Sequence, residues 1–257
     1  MPSKQPAGTD MDSLQDKVAV VTGAAGTMGR AVVQSLVGHG CRVALVDVQA
    51  SALEALKQRH GPRVFPLPCD IRDAADVQRA HDLLAHHWGR VDILVNNAGV
   101  LSNHKIEATS AQEWRQVLSV NLDGAMWWSQ CVVPAMKAAG WGRIVNVGSL
   151  ASKTGGLTAG TSYSFSKGAL AALTFSLARE LAPHGVTANA IAPAYVRTPM
   201  VTEQLNESQR QALLQQIPVG RFCEPEEFAH VVAFLVSPMS GFITGEVIDL
   251  NGGLHMD

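Results

Sequence analysis

Tyr163 and Lys167 stand four residues apart, in Tyr163-Ser164-Phe165-Ser166-Lys167, in a chain that holds only two tyrosines. Four residues make about one helical turn, so the phenol and the ammonium project from one face. A free phenol, with a pKa near 10, is roughly 0.1% ionised at neutral pH; a useful base needs that value about 2 to 3 units lower, or roughly 3 to 4 kcal/mol. An adjacent ammonium is a source of such a shift. The chemistry this pair suits is proton transfer at an alcohol or carbonyl oxygen. Ser149 offers a hydroxyl to hold that oxygen against the phenol. Asn121, in Val120-Asn121-Leu122, interrupts a helical run where an amide is a poor helix former unless something demands it.

These residues need a scaffold that brings them together, and the pattern of short apolar runs alternating with helix-period stretches supplies one. Strands are expected at Val18–Val21, Arg42–Val46, Val64–Leu67, Ile93–Val95, Arg143–Val147, Val186–Ile191 and Val247–Leu250. Most are near-continuous apolar runs, as strands covered on both faces require. Helices are expected over roughly 28–39, 50–60, 72–87, 111–137, 161–181 and 225–236; Leu170, Leu173, Leu177 and Leu181 mark one face of the fifth, which Pro183 and Gly185 end. The fold class is therefore α/β, a single doubly wound domain with a parallel sheet of about seven strands and helices on both faces, spanning 14–257 after a polar extension, 1–13. Such sheets bind ligands beyond the carboxyl ends of their strands, where the strand order reverses.

The strand ends carry the next signals. After the first strand comes Thr22-Gly23-Ala24-Ala25-Gly26-Thr27-Met28-Gly29, a small-residue turn leading into a helix. Glycines there let backbone approach a pyrophosphate, and the helix N-terminus offers N–H groups to it. Asp47 closes the second strand, 18 residues after Gly29, near the spacing at which an acid binds an adenosine ribose. A carboxylate there repels a 2'-phosphate, which favours NAD over NADP. Cys69-Asp70-Ile71 closes the third strand, with Asp70 placed to accept from an adenine amino group or to cap the next helix, and Asn96-Asn97-Ala98-Gly99 closes the fourth.

In order and spacing, Thr22-Gly23 with its glycine turn, Asn96-Asn97-Ala98-Gly99, Asn121, Ser149 and the Tyr163/Lys167 pair resemble the short-chain dehydrogenase/reductase family, in its single-domain members with a Rossmann-type fold. The resemblance runs from residue 14 to the end. It implies Tyr163 as general acid/base, Lys167 as the group that lowers its pKa and binds the nicotinamide ribose, Ser149 as the orienter of the substrate oxygen, and Asn121 as holder of a water in a proton relay through Lys167. The cofactor-binding set it implies is Gly23, Gly26, Thr27, Met28 and Gly29, Asp47, Asp70 and Ile71, Asn97, Ala98 and Gly99, Tyr163 and Lys167, then Pro193, Val196 and Thr198. Two positions depart from the family's pattern. Thr27 stands where the turn T-G-x-x-x-G-x-G has its middle glycine, with Gly26 one place earlier, and Ala194 follows Pro193 where glycine is usual.

The reaction implied is NAD-dependent interconversion of a secondary alcohol and a ketone. A 3-oxoacyl thioester reductase using NADPH is the enzymatic alternative, with Gly26 and Asp47 weighing against it in place of basic residues. A non-catalytic cofactor-binding regulator is the other, with Tyr163, Lys167 and Ser149 weighing against that. Substrate-side walls are expected at Leu101–Ile106, Leu150–Gly156 and a lid over about 195–217, with Leu150, Tyr195, Met200 and Val201 apolar and His104, Lys105 and Lys153 available to a polar or anionic group. The resemblance also implies a homotetramer pairing helices 111–137 and 161–181 about one axis and the segment from Gly241 about another.

Composition narrows the rest. A net charge of -2 gives no electrostatic reason to expect nucleic acid or an acidic membrane as partner. No apolar run approaches the roughly 20 residues of a membrane span, and the N-terminus lacks a signal-peptide core, so a cytoplasmic protein is expected. Cys41, Cys69, Cys131 and Cys223 lie far apart and read as reduced thiols, and the nine histidines form no H-E-x-x-H cluster, so no metal is expected.

Overall fold

Seven parallel strands form one sheet in a computed structural model of the chain, which describes residues 13–199 and 207–256. They are β1 (Val18–Thr22), β2 (Arg42–Asp47), β3 (Val64–Pro68), β4 (Ile93–Asn96), β5 (Gly142–Val147), β6 (Val186–Pro193) and β7 (Val247–Leu250), in the order β3-β2-β1-β4-β5-β6-β7. The order reverses between β1 and β4, which pair directly through Ala19↔Ile93, Val20↔Leu94 and Val21↔Val95. Every residue of β1, β4, β5 and β6 is buried, the reason most of those segments read as near-continuous apolar runs, although β5 and β6 also bury Arg143, Asn146, Thr187 and Asn189.

Helices cover both faces: α1 (Thr27–Gly38), α2 (Ala50–His60), α3 (Ala74–Trp88), α4 (Ala111–Leu118), α5 (Gly124–Ala139), the short α6 (Ala151–Thr154), α7 (Thr161–Leu181), α8 (Glu207–Gln216) and α9 (Pro225–Val236). One apolar layer joins α1, α2 and α9 to the sheet through Val32, Leu36, Leu53, Phe228 and Val232. The other joins α3, α5 and α7 through Leu84, Trp128, Met136, Ala178 and Leu181. Each fully buried Leu, Val or Phe contributes roughly 1.5–3 kcal/mol, so the sheet is held rigidly from both sides and its carboxyl edge is a fixed platform.

The helical stretch expected over 111–137 is two helices separated by a π-helical turn, Ser119–Asp123, with Asn121 at its centre and 1% exposed. Such a turn carries one extra residue, and π-bulges often lie at functional sites. Asn121 satisfies its amide across the turn: its Oδ1 accepts from Val100 N at 2.8 Å, and its Nδ2 donates to Val100 O and Ser166 Oγ, both at 3.0 Å. That is what demanded an amide there. The expected lid stretch contains α8, and its Leu213 and Ile217 form a small apolar cluster with Phe222, packed by Tyr195, Leu214 and Leu254. Met200 and Val201 lie outside the described residues, as does the N-terminal extension up to residue 12.

A buried polar chain fixes the rotation of α7 on the sheet. Asn96 Nδ2 donates to Asn146 Oδ1 at 2.8 Å, and Asn146 Nδ2 donates to Thr174 Oγ1 at 2.9 Å. Thr174 lies two turns beyond Lys167, on the same helical face. The polar chain therefore helps to turn Tyr163 and Lys167 toward the carboxyl edge.

Candidate active site

At that edge lies a cleft of about 680 Å³, and all sixteen residues expected to hold a cofactor line it, together with Ser149. Its floor is a lock between the ends of β1 and β4. Thr22 Oγ1 accepts from the backbone N–H groups of Asn97 and Ala98, each at 3.0 Å, while Asn97 Nδ2 donates to Thr22 O at 2.9 Å and Gly23 O at 3.2 Å. The glycine turn rises from this lock. Gly23 has φ +65°, and a Cβ on it would lie 2.8 Å from Ala98 Cα. A Cβ on Gly29 would lie 2.1 Å from Gly23 O, so α1 reaches the turn only through a glycine. Gly26 differs: its φ is -74°, and its nearest neighbour to a Cβ is Gly23 O at 3.4 Å, so it admits other residues. No side chain caps the first turn of α1, which leaves its N-terminal N–H groups facing the cleft.

Two acids mark the far end. Asp47 Oδ2 accepts from Ala25 N and its Oδ1 from Gln49 N, both at 3.1 Å, so this carboxylate also braces the glycine turn. Asp70 is bound by Arg72, whose Nε donates to Oδ1 at 2.8 Å and whose Nη2 donates to Oδ2 at 2.5 Å; that guanidinium holds the Asp70 carboxyl below its usual range. Asp70 does not cap α3, because Asp73 does so through Ala75 N at 2.9 Å. Arg72, Gln116 and Val120 line the cleft without a signal in the sequence; Arg72 is identifiable only by its pairing with Asp70. Arg30 is exposed and donates to Ala25 O at 2.7 Å.

At the near end Ser149, Tyr163 and Lys167 come together. The Ser149 hydroxyl hydrogen-bonds the Tyr163 phenol, and Lys167 Nζ lies 5.8 Å from the phenol ring centre. Lys167 is 3% exposed and donates to Val147 O at 2.6 Å; burial pulls its ammonium down to about 8. Burial pushes the Tyr163 phenol up, with the Ser149 hydrogen bond opposing it. Among the chain's own groups burial sets the direction for the phenol, opposite to the lowering expected from Lys167. Asn121 lies behind the wall, where a Cβ on Gly99 would stand 3.3 Å from Lys167 Nζ and 3.4 Å from Asn121 Oδ1.

A sequence profile of the family described as enoyl-(acyl carrier protein) reductase matches residues 23–255. The short-chain reductase protein NovJ of Streptomyces niveus is 38% identical over 98% of this chain and 99% of its own length. Proteins named 3-oxoacyl-[acyl-carrier-protein] reductase FabG are similar too: that of Aquifex aeolicus is 37% identical over 94% of this chain and 98% of its own, and that of Vibrio harveyi 35% over 95% and 99%. The chain belongs to the short-chain dehydrogenase/reductase family.

In this short-chain dehydrogenase/reductase, the side chains expected to meet the substrate are largely committed elsewhere. Lys105 Nζ donates to Gly156 O and Ala159 O, each at 2.7 Å; Lys153 Nζ pairs with Asp249 Oδ2 at 2.7 Å; and His104 Nδ1 pairs with Glu113 Oε2 at 2.5 Å. Leu150 is buried under β6, its N–H donating to Pro193 O at 3.0 Å. Tyr195 packs on Phe222 and lines a separate cavity of about 140 Å³ with Ile217 and Val219. Of the expected walls, Leu101, Val196 and Thr198 do line the cleft, together with Val100, Gln116, Val120 and Ala194. No helix among the described residues is long and apolar enough to cross a membrane, and all four cysteines are free thiols.

Proposed function

We propose that the protein is a nicotinamide-dependent oxidoreductase that reduces the 3-keto group of an acyl thioester to a secondary alcohol, with NADH as the favoured donor. The observation that carries this reading is the single cleft with the glycine turn and Asp47 at one end and Ser149, Tyr163 and Lys167 at the other. The cradle fits a dinucleotide, since the glycine turn, the start of α1 with no side-chain cap, and Asp47 line the same cleft. When bound, the nicotinamide supplies the hydride that reaches the carbonyl carbon. Tyr163 gives its phenolic proton to the carbonyl oxygen, and Ser149 holds that oxygen by a hydrogen bond. Burial keeps the phenol protonated at neutral pH, the form that reduction needs. Lys167, charged at pH 7, stabilises the phenolate left behind and binds the ribose. Asn121 holds the segment at Val100 against α7 and, with a water, links Lys167 to solvent for reprotonation.

The thioester rests on the names of the FabG relatives. It is supported by the internal partners of His104, Lys105 and Lys153, an arrangement that suits an uncharged carbonyl better than a free hydroxy acid. With acetoacetyl thioesters of coenzyme A and of acyl carrier protein, the protein is expected to oxidise NADH at least about tenfold faster than it reduces NAD with free secondary alcohols, a gap of roughly 1.4 kcal/mol. The reverse order supports the second reading, oxidation of a small free alcohol, which Asp47 favours through its suitability for NAD.

Asp47 is proposed as the cofactor selector, because its carboxylate repels a 2'-phosphate. Asp47→Asn removes the charge but keeps an acceptor for the braced turn. Combined with Gly26→Arg at the open position, it is expected to raise the NADPH-to-NADH ratio of kcat/KM about 10- to 100-fold, or roughly 1.4 to 2.8 kcal/mol. An unchanged ratio would remove Asp47 from that role. A homotetramer is proposed as well, supported by the exposed apolar side chains Met126, Phe165 and Phe175 on α5 and α7 and Phe234, Met239 and Phe242 toward the C-terminus. Light scattering is expected to give four times the 27.3 kDa chain mass, and a monomer mass contradicts it.

A further inference from the structure

Helix α7 carries Tyr163 in its first turn but brings no cap of its own. Its N-cap is Gly160, with no side-chain hydrogen bond to the helix. The start of the helix is held from outside: Gly160 N donates to Ser102 O at 2.7 Å and Thr161 N to His104 O at 3.0 Å. The approach is so close that a Cβ on Gly160 would stand 2.5 Å from His104 O. The position of the phenol therefore depends on where the loop 102–104 lies.

That loop hangs on one carboxylate. Glu113, in the first turn of α4, accepts from the Ser102 hydroxyl on Oε1 and from His104 Nδ1 on Oε2 at 2.5 Å. The same Oε1 accepts from Ser162 Oγ at 3.2 Å, and Ser162 is fully buried and directly precedes Tyr163. Glu113 is itself fixed, because its backbone N–H donates to the N-cap Ser110 Oγ at 3.1 Å, and the next residue, Trp114, packs on Phe165 of α7 with ring centres 4.9 Å apart. A negative charge at this place also suits the positive end of the α7 dipole. These partners hold the Glu113 carboxyl below the usual range, so it is an anion at neutral pH.

We infer that Glu113 is a positioning residue for Tyr163: its one carboxylate ties the 102–104 loop, α4 and the first turn of α7 into a block that sets where the phenol meets Ser149. Glu113 does not line the cleft and touches no reacting atom. The inference rests on the reading of Tyr163 as the acid. Misplacing a reacting group by about 1 Å costs on the order of 100-fold in rate, so the effect of losing the block falls on kcat.

The test compares Glu113→Ala, Glu113→Gln, Ser162→Ala and Tyr163→Phe, with kcat expressed per NADH-binding site counted by fluorescence titration. Glu113→Ala is expected to lose about 10- to 100-fold in kcat with its NADH affinity within about twofold of wild type. Glu113→Gln is expected to recover to within about threefold of wild type, since the amide oxygen still accepts from both serines. Ser162→Ala, which cuts only the direct tie to α7, is expected to lose about threefold or more and reports even if Glu113→Ala does not fold. Unchanged kcat per site in Ser162→Ala and in any folded Glu113→Ala, or a loss that Glu113→Gln does not recover, overturns the inference. Full turnover in Tyr163→Phe overturns instead the reading beneath it.

Discussion

Tyr163→Phe is expected to lower kcat for carbonyl reduction about 1000-fold while leaving NADH affinity within about twofold of wild type. The substitution deletes one oxygen, the one that carries the transferred proton and meets Ser149. The ring remains to fill the same half-buried place beside Lys167, so neither the glycine turn nor the helix that bears the residue has reason to move. Stopped-flow mixing with NADH and an acetoacetyl thioester checks both quantities on one sample. Turnover near wild type would transfer the proton donation to another group, and parallel loss of NADH binding would make the phenol a structural residue. Ser149→Ala belongs to the same unit, so its cost will not add to that of Tyr163→Phe.

Lys167→Met is expected to separate activity from stability in opposite directions. Activity falls at least about 100-fold, because a buried positive charge no longer balances the phenolate left by proton transfer. Stability at pH 7 rises. Burial depresses the folded-state pKa of Lys167 from 10.5 to about 8, so the folded chain holds this proton less tightly than the unfolded chain does. The unfavourable contribution is full below pH 8 and fades as pH rises from 8 toward 10.5. It is on the order of 3 kcal/mol, from which the loss of the hydrogen bond to Val147 O removes about 1 kcal/mol. A gain of roughly 2 kcal/mol raises Tm by about 4–8 °C for a domain of this size. Thermal unfolding at pH 7 and pH 10 checks the sign: the variant is the more stable protein at the first and loses that advantage at the second. A lower Tm at pH 7 would contradict the account of a strained, desolvated ammonium. For the wild-type protein, kcat/KM for reduction is expected to be level below pH 8 and to fall above it as Lys167 discharges, which a pH–rate profile checks.

The sheet and its ligand edge were legible in the sequence because burial on both faces leaves a local trace. Val18–Val21 and Val186–Ile191 could hardly be anything but central strands, and the glycine turn, Asp47 and the Tyr163/Lys167 spacing fall where such strands end. What depends on contacts far along the chain left no such trace. Asn121 announced itself as a misfit in a helix, but that it clamps Val100 and Ser166 across a π-helical turn is a tertiary fact. Helix α8 was hidden inside the expected lid because Glu-Ser-Gln-Arg-Gln-Ala-Leu-Leu-Gln-Gln shows a narrow apolar face, with Leu213 its buried member. Lys105 and Lys153 looked available to a substrate because their partners, the carbonyls at 156 and 159 and the carboxylate of Asp249, lie about 50 and 100 residues away. The direction of the Tyr163 shift had the same origin: proximity to an ammonium is written in the spacing, whereas desolvation by the surrounding fold is not.

The central claim is that hydride passes from a nicotinamide to a keto carbon held by Tyr163 and Ser149, and isotope transfer tests it most directly. The protein is incubated with NADH deuterated on either face of C4 and an acetoacetyl thioester, and the product is read by mass spectrometry and proton NMR. The expected result is a 3-hydroxyacyl thioester with one deuterium on C3 from one face of the nicotinamide only, and no such product from Tyr163→Phe on the same timescale. A product without deuterium at C3, or no consumption of NADH or NADPH with any 3-oxoacyl thioester or ketone, would contradict it.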